Sequence, residues 1–288
     1  MFDKIKIVTD STTSLTKKEC EERGFICLET TYLVDDVLHS AFDNEEETLP
    51  EFYKSLDKAK TISTGCINTE IFEQCFNELA SQGYKVFYMG LSAALSSTFS
   101  NAQTAANTVN EKYKEKVIYL ADSRAGSYGT LLLLDKVQDL LNEGKTLEEV
   151  ETIISEDAFK MNVAFIAPDL KFMLKSGRIT AFTLGVGTLL NLVPTIYVGD
   201  KGQLVARDKC IGKKRAIKIL KNKFTDFINK NNCTRCYLSS CDMGNEIEDI
   251  KQHIASNTKI KLEDIKTGLI DKTMSCNCGP KTVAIFCL

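Results

Sequence analysis

Along the first 160 residues, short apolar runs alternate with stretches of helical period. Ile5-Lys6-Ile7-Val8-Thr9 predicts a strand over 4–9, and a helix is expected from near Thr16. A second strand is read over Phe25 to Val34. The acidic loop Asp43-Asn44-Glu45-Glu46-Glu47 then leads to a helix after Pro50. Thr61 to Asn68 is polar without period and reads as a loop, followed by a helix from Thr69 to about Ser81. Strands at 85–91 and 117–121 alternate with helices at 99–114 and 127–143. Gly144-Lys145-Thr146 stops the last of these and caps another helix, Leu147 to about Phe159. Strands regularly separated by helices predict a doubly wound, mostly parallel α/β sheet.

The pattern changes after residue 160. Asn162 to Pro168 is an apolar strand, and Leu170 to Lys175 a short helix ended by Ser176-Gly177. Thr195 to Val198 and Gln203 to Asp208 flank Gly199-Asp200-Lys201-Gly202, a hairpin signal. A long basic helix is expected over Lys213 to Asn229 and another near Glu246 to Ala255. Further strands fit 235–240, 264–269 and 282–287. Hairpins mixed with helices predict a second, α+β domain with a mixed sheet. The boundary falls near 158–162, giving an N-terminal domain over 1–160 and a C-terminal domain over 161–288.

Three of the predicted strands run straight into turns rich in hydroxyls. These are Asp10-Ser11-Thr12-Thr13-Ser14, Ser92-Ala93-Ala94-Leu95-Ser96-Ser97-Thr98, and Asp122-Ser123 with Ser127 close behind. Ligands of open α/β sheets bind beyond the carboxyl ends of the strands, where helix N-termini offer N–H groups to an anion. Hydroxyls with no metal motif beside them, and Arg124 the one cation within the three turns, suit an anionic head group held mainly by neutral donors. Any one such residue is equally an ordinary helix N-cap; recurrence on three turns points to a site.

Bulk properties narrow the class. A chain of 288 residues, 43% hydrophobic and 26% charged, buries a sizeable core. A net charge of -3 gives no electrostatic case for nucleic acid. The N-terminus leads directly into a strand, and Leu184 to Val198 is broken by Gly185, Gly187, Asn191 and Pro194, so a cytoplasmic protein without a membrane span is expected. Eleven cysteines, an odd number without an export signal, are expected as reduced thiols. Cys27, Cys75, Cys210 and Cys287 read as core hydrophobes. Cys233-x-x-Cys236, Cys241 and Cys276-x-Cys278 lack the paired knuckles of a zinc site, with Cys233 beginning a strand and Cys276 and Cys278 sharing a face, so no metal is expected. There is no phosphate-cradling Gly-x-x-x-x-Gly-Lys loop, no Gly-x-Ser-x-Gly elbow and no His-Glu-x-x-His helix. Gly185-Val186-Gly187-Thr188-Leu189-Leu190 opens no βαβ unit. The two histidines, His39 and His253, stand beside no Ser turn. No catalytic residues and no cofactor are assigned, and a binding protein is expected.

Nearly end to end, the chain resembles the DegV family. The matching segments are Asp10-Ser11, Thr64-Gly65-Cys66-Ile67-Asn68 followed by Phe72, and Ser92 to Thr98. They continue with Asp122-Ser123, Ser127 and Gly129, Leu170 to Gly177-Arg178-Ile179, Leu189-Leu190-Asn191 with Pro194, and Gly279-Pro280. The resemblance implies a protein that binds a long-chain fatty acid. It would act in lipid transport or as the acyl-carrying, non-catalytic partner of a separate ATP-dependent fatty acid kinase. It further implies that Thr64 and Ser96, with backbone N–H groups around Ser97, hold the carboxylate, and that the tail enters an apolar tunnel. Arg178 is the implied residue for docking to the kinase.

The chain departs from the family pattern at several places. The usual His-x-Gly-Pro-Gly reads Asn277-Cys278-Gly279-Pro280-Lys281, which puts the neutral Asn277 at the head-group position. Lys281 is the nearest cation in sequence, expected to face solvent. Ile67 stands for a proline, Ser176 for a glycine, Val193 for a lysine and Ile211 for an arginine. Two other readings stay open: a binding protein for another amphiphile or small anion, and a hydrolase or transferase with Ser96 as nucleophile.

Overall fold

The computed structural model describes residues 4–43, 47–179 and 192–288. A parallel sheet opens the chain. Its strands are β1 (Lys4–Asp10), β2 (Ile26–Leu28), β6 (Tyr84–Tyr88) and β7 (Ile118–Leu120), in the order β2-β1-β6-β7. The alternation of side chains along a strand decides what covers each face. Val8, Val86, Tyr88 and Ile118 pack under α3 (Thr69–Ser81) and α4 (Thr98–Tyr113). Ile7, Phe87, Met89 and Tyr119 pack under α5 (Tyr128–Asn142) and α6 (Leu147–Lys160). This is the doubly wound arrangement expected.

The segment read as one strand over 25–34 is two strands in different sheets. The chain leaves the parallel sheet after Leu28 and turns at Glu29-Thr30. It then forms β3 (Thr31–Val34), which pairs antiparallel with β4 (Val37–Ser40) and β5 (Ile62–Gly65). Asp35 and Asp36, both at positive φ, make the two-residue hairpin between β3 and β4. The expected loop over 61–68 thus contains β5. His39 on β4 stacks against Tyr32 with ring centroids 5.1 Å apart. α1 (Lys17–Glu22) is closed by a Thr16–Glu19 capping box, and α2 (Leu49–Leu56) carries Pro50 in its first turn.

From Asn162 onward the strands build a second, mixed sheet of six. The order is β10-β9-β8-β13-β11-β12, with β8 (Asn162–Ile166), β9 (Leu192–Val198), β10 (Leu204–Ile211), β11 (Cys236–Ser240), β12 (Lys266–Leu269) and β13 (Val283–Cys287). β9 and β10 form the expected hairpin, and Arg124 donates across from the N-terminal half to the carbonyls of Gly199 and Asp200 in its turn. One face of this sheet packs on α8 (Lys213–Asn231) and α9 (Gly244–Asn257). The other contributes Val163, Tyr237, Ala284 and Phe286 to the core that contains α5. α5 therefore lies between the two sheets, and Leu131 to Leu134 are all buried. A Cβ on Gly129 would come within 2.5 Å of Phe286, so the close approach of α5 to β13 requires glycine there.

α7 (Leu170–Ser176) ends on Gly177 in the left-handed conformation. α10 (Lys272–Cys278) is a helix where the sequence pattern predicts none. It puts Cys276 and Cys278 on a helix roughly 200° apart rather than on one face. Cys233 precedes β11 instead of beginning it, and Cys236 joins a different apolar cluster from Cys241, Cys276 and Cys278. The five do not converge. Among the described residues no group of three or more His, Cys, Asp or Glu is placed to hold a metal. Glu45, Gly185, Gly187 and the segment Leu189-Leu190-Asn191 lie outside the described residues.

Candidate functional site

The three hydroxyl-rich turns are tied to one another at the carboxyl end of the parallel sheet. Ser92 N donates to Ala125 O at 2.8 Å and Ser127 N to Thr12 O at 2.6 Å. Two carboxylates complete the link: Asp10 accepts from Leu91 N at 3.0 Å and Asp122 from Ala93 N at 3.1 Å. Gly90 is needed for this, since a Cβ there would fall 1.9 Å from Asp10 Oδ2. Burial pushes the Asp10 carboxyl above its usual value despite hydrogen bonds from Thr12, Leu91 and Tyr88. The cap reading holds for Asp10, which accepts from Thr12 N. It fails for Ser97 and Ser127, which precede α4 and α5 without any side-chain cap bond.

Above these turns lies a cavity of about 660 Å³, closed on the far side by the six-stranded sheet. Thr64 from β5, Ser96 and Ser97 from the turn before α4, Arg178 after α7 and Asn277 on α10 all line it. Sequence positions more than two hundred residues apart thus meet in one place. Asn277 Nδ2 lies 3.4 Å from Thr64 Oγ1 and donates to Thr273 O at 3.0 Å. Ser96 Oγ accepts from Thr98 N at 3.2 Å and pairs with Thr98 Oγ1 at 2.9 Å. Val163, Phe165, Leu204, Met274, Ala284 and Phe286 supply apolar wall. A smaller cavity of about 120 Å³ shares Thr64, Ser176, Arg178 and Asn277 with the large one.

Arg178 is the one charged side chain among the described residues lining the larger cavity; the smaller one adds Lys171 and Lys175. Among the described residues Arg178 donates to the carbonyls of Leu95 (3.4 Å) and Ser176 (2.6 Å). Lys281 is exposed, sits at positive φ and does not line the cavity, as expected of a solvent-facing lysine. Val193 is buried in the core under α8, whereas Ile211 is 75% exposed at the end of β10.

The cavity wall also holds hydroxyls that the sequence reading did not assign. Thr30 links Ser11 and Thr273 through contacts of 2.8 Å each. Ser127 and Ser239 lie 3.1 Å apart; Ser14 reaches both Ser127 Oγ and Asp271 Oδ2 at 2.8 Å. Asp271 caps α10, and the only trace of this in the sequence is an Asp before a short polar run. Burial pushes its carboxyl up to about 7, against hydrogen bonds from Met274 N and Ser14, and the nearby Asp10 charge raises it further. A raised carboxyl favours the folded state below the usual carboxylate range, and that contribution is lost as pH rises through 7.

A family model described as "Uncharacterised protein, DegV family" matches residues 4–288. A DegV domain-containing protein of Clostridium perfringens is 28% identical over 291 residues, covering 99% of this chain and 97% of the relative. Among solved structures, a fatty-acid-binding DegV family protein from Thermus thermophilus superposes with a TM-score of 0.86. It is 23% identical and 99% of both chains are covered. The Streptococcus pneumoniae Fatty Acid Kinase (Fak) B3 protein, loaded with linoleic acid, gives 0.82 at 18% identity, again with 99% of each chain covered.

Proposed function

The chain belongs to the DegV family, and from that premise we propose that it binds a long-chain fatty acid. Thr64, Ser96, the backbone at Ser97 and Asn277 hold the carboxylate, and the apolar walls take the acyl chain. The observation that carries this is the cavity in which those four residues meet beside the apolar wall of Val163, Phe165, Leu204, Ala284 and Phe286. Each buried methylene is worth about 0.8 kcal/mol, so some fifteen carbons supply on the order of 10 kcal/mol before the costs of association. The head group then needs orientation and satisfied hydrogen bonds more than an ion pair. Lys281 lies outside the cavity, and Arg178 spends two of its five N–H groups on carbonyls; Thr64, Ser96 and Asn277 orient the head group.

In this reading the protein is not itself a catalyst; it carries the acid in the cytoplasm and presents it to a separate ATP-dependent kinase. Support comes from the lack of a phosphate-cradling loop in the sequence and from Arg178 at the cavity wall. No helix among the described residues is long and apolar enough to cross a membrane. Ile211, exposed where family members carry arginine, makes weaker docking the expectation.

Mass spectrometry of the denatured protein is expected to release a C14–C18 acid. Thr64→Ala and Ser96→Ala each remove a donor to a charged acceptor and are expected to weaken binding about tenfold or more. A lipid-free protein whose two variants bind fatty acid as wild type does would overturn the assignment.

A further inference from the structure

We propose that Ser127 and Ser239 form a second polar subsite inside the cavity, which takes a hydroxyl group carried on the acyl chain of the ligand. The inference rests on the fatty-acid reading of the same cavity and names a ligand class within it: hydroxylated long-chain acids.

The placement of Ser239 is the first reason. It lies in register with Ala284 on β13, which in turn lies in register with Phe165 on β8, and all three line the cavity. Where this row lines the cavity, Phe165 and Ala284 present hydrocarbon and Ser239 presents a buried hydroxyl. Other buried hydroxyls of the wall have nearby acceptors: Thr12 donates to the Asp10 carboxylate and Thr282 to the carbonyls of Cys278 and Gly279. Thr30 and Thr273 belong to the head-group end, one helical turn from Asn277. Among the described residues, the Ser239 hydroxyl meets only that of Ser127. A serine oxygen carries one donor and two acceptor sites, so bonding capacity is left on its cavity side. A bare methylene there leaves that capacity unfilled in a buried setting; a ligand hydroxyl fills it.

Ser127 supplies the second reason. Its φ of 52° and ψ of -137° are a conformation that residues with a side chain rarely adopt, and no cap bond rewards it. What the conformation does is direct Oγ to the junction of Ser14 and Ser239. Through Ser14 the chain of hydroxyls ends on Asp271. Ser127 donates to Ser239, so Ser239 receives one proton and keeps its own O–H and a second lone pair for a ligand. A hydroxyl, being both donor and acceptor, matches what is left.

The test displaces a fluorescent fatty acid with octadecanoic acid and with mono-hydroxyoctadecanoic acids bearing the hydroxyl at successive carbons. Wild type is expected to prefer one position, or two adjacent ones, about tenfold over its neighbours. Ser239→Ala is expected to remove that preference while octadecanoate still binds, with Ser127→Ala as the second variant should the first fail to fold. Wild type binding octadecanoate but no hydroxy isomer in preference overturns the subsite and leaves the fatty-acid reading standing. A preference that survives both variants also overturns it. If neither octadecanoate nor any isomer binds, the fatty-acid reading itself has failed and the subsite falls with it.

Discussion

Ser127 occupies a backbone conformation that suits glycine, and this separates two effects of replacing it. Ser127→Ala removes the hydroxyl and keeps the strain. Ser127→Gly removes both, against a cost of about 0.5–1 kcal/mol in unfolded-chain entropy. Strain of this kind is worth on the order of 1–3 kcal/mol. The glycine variant is therefore expected to be about 1 kcal/mol more stable than the alanine variant in chemical denaturation. The reverse order would show that the local backbone is relaxed. At this scale little of the site could be read from residue pattern alone. Thr64 and Asn277 are polar residues in polar stretches, and only the family resemblance singled them out. The strand–turn–helix around Ser92 to Thr98 was legible, because apolar run, hydroxyls and helical period follow in order. Ser239 gave no signal: within a strand, nothing in the sequence tells which face meets a cavity.

Elements with strong local punctuation were legible at their ends. α3 runs over the predicted residues behind an Asn68 cap, and α6 follows the Thr146 capping box. What escaped was short or tertiary in origin. β5 has four residues and one large apolar side chain, so no alternation marks it; its pairing with β3 makes it a strand. α10 is buried on most sides, and Lys272-Thr273-Met274-Ser275 shows no apolar period. The helix that joins the halves, α5, carries a testable device. Asp135, buried on that helix, pairs with Arg23 and Lys266 at 2.6 Å each and accepts from Tyr237 on β11. Burial opposes its charge, yet the hydrogen bonds from Lys266 and Tyr237 and the Arg23 charge hold its carboxyl below the usual value. Asp135→Ala strands these partners and is expected to cost on the order of 3 kcal/mol at neutral pH. A depressed carboxyl stabilises above the unfolded value near 3.9 and loses that contribution as pH falls through its folded value. The gap between wild type and Asp135→Ala should thus be constant above about pH 5 and close below pH 4 in urea titrations. A gap unchanged at pH 3 would show that packing, not charge, sets it.

At the scale of the molecule, α5 and its leucines place both sheets against one core, and the cavity lies between the same two layers. A ligand there touches both halves and stabilises only the assembled state. Wild type saturated at a hundredfold excess over Kd should gain about 2.7 kcal/mol over delipidated protein, or roughly 5 °C in Tm, in one transition rather than two. Delipidated protein melting in two separate steps, or no shift on adding lipid, would contradict the shared core. The order of strands in the six-stranded sheet has a further consequence. β13, residues 283–287, sits between β8 and β11, strands made some 120 and 45 positions earlier in the chain. On the ribosome, β10-β9-β8 and β11-β12 are two unjoined ribbons until that segment has been synthesised and is free to insert. Until then the face of α5 that meets Phe286 stays bare, and it is a natural surface for a chaperone to hold. The cavity lacks Ala284 and Phe286 for the same interval, so its wall is incomplete until β13 is in place.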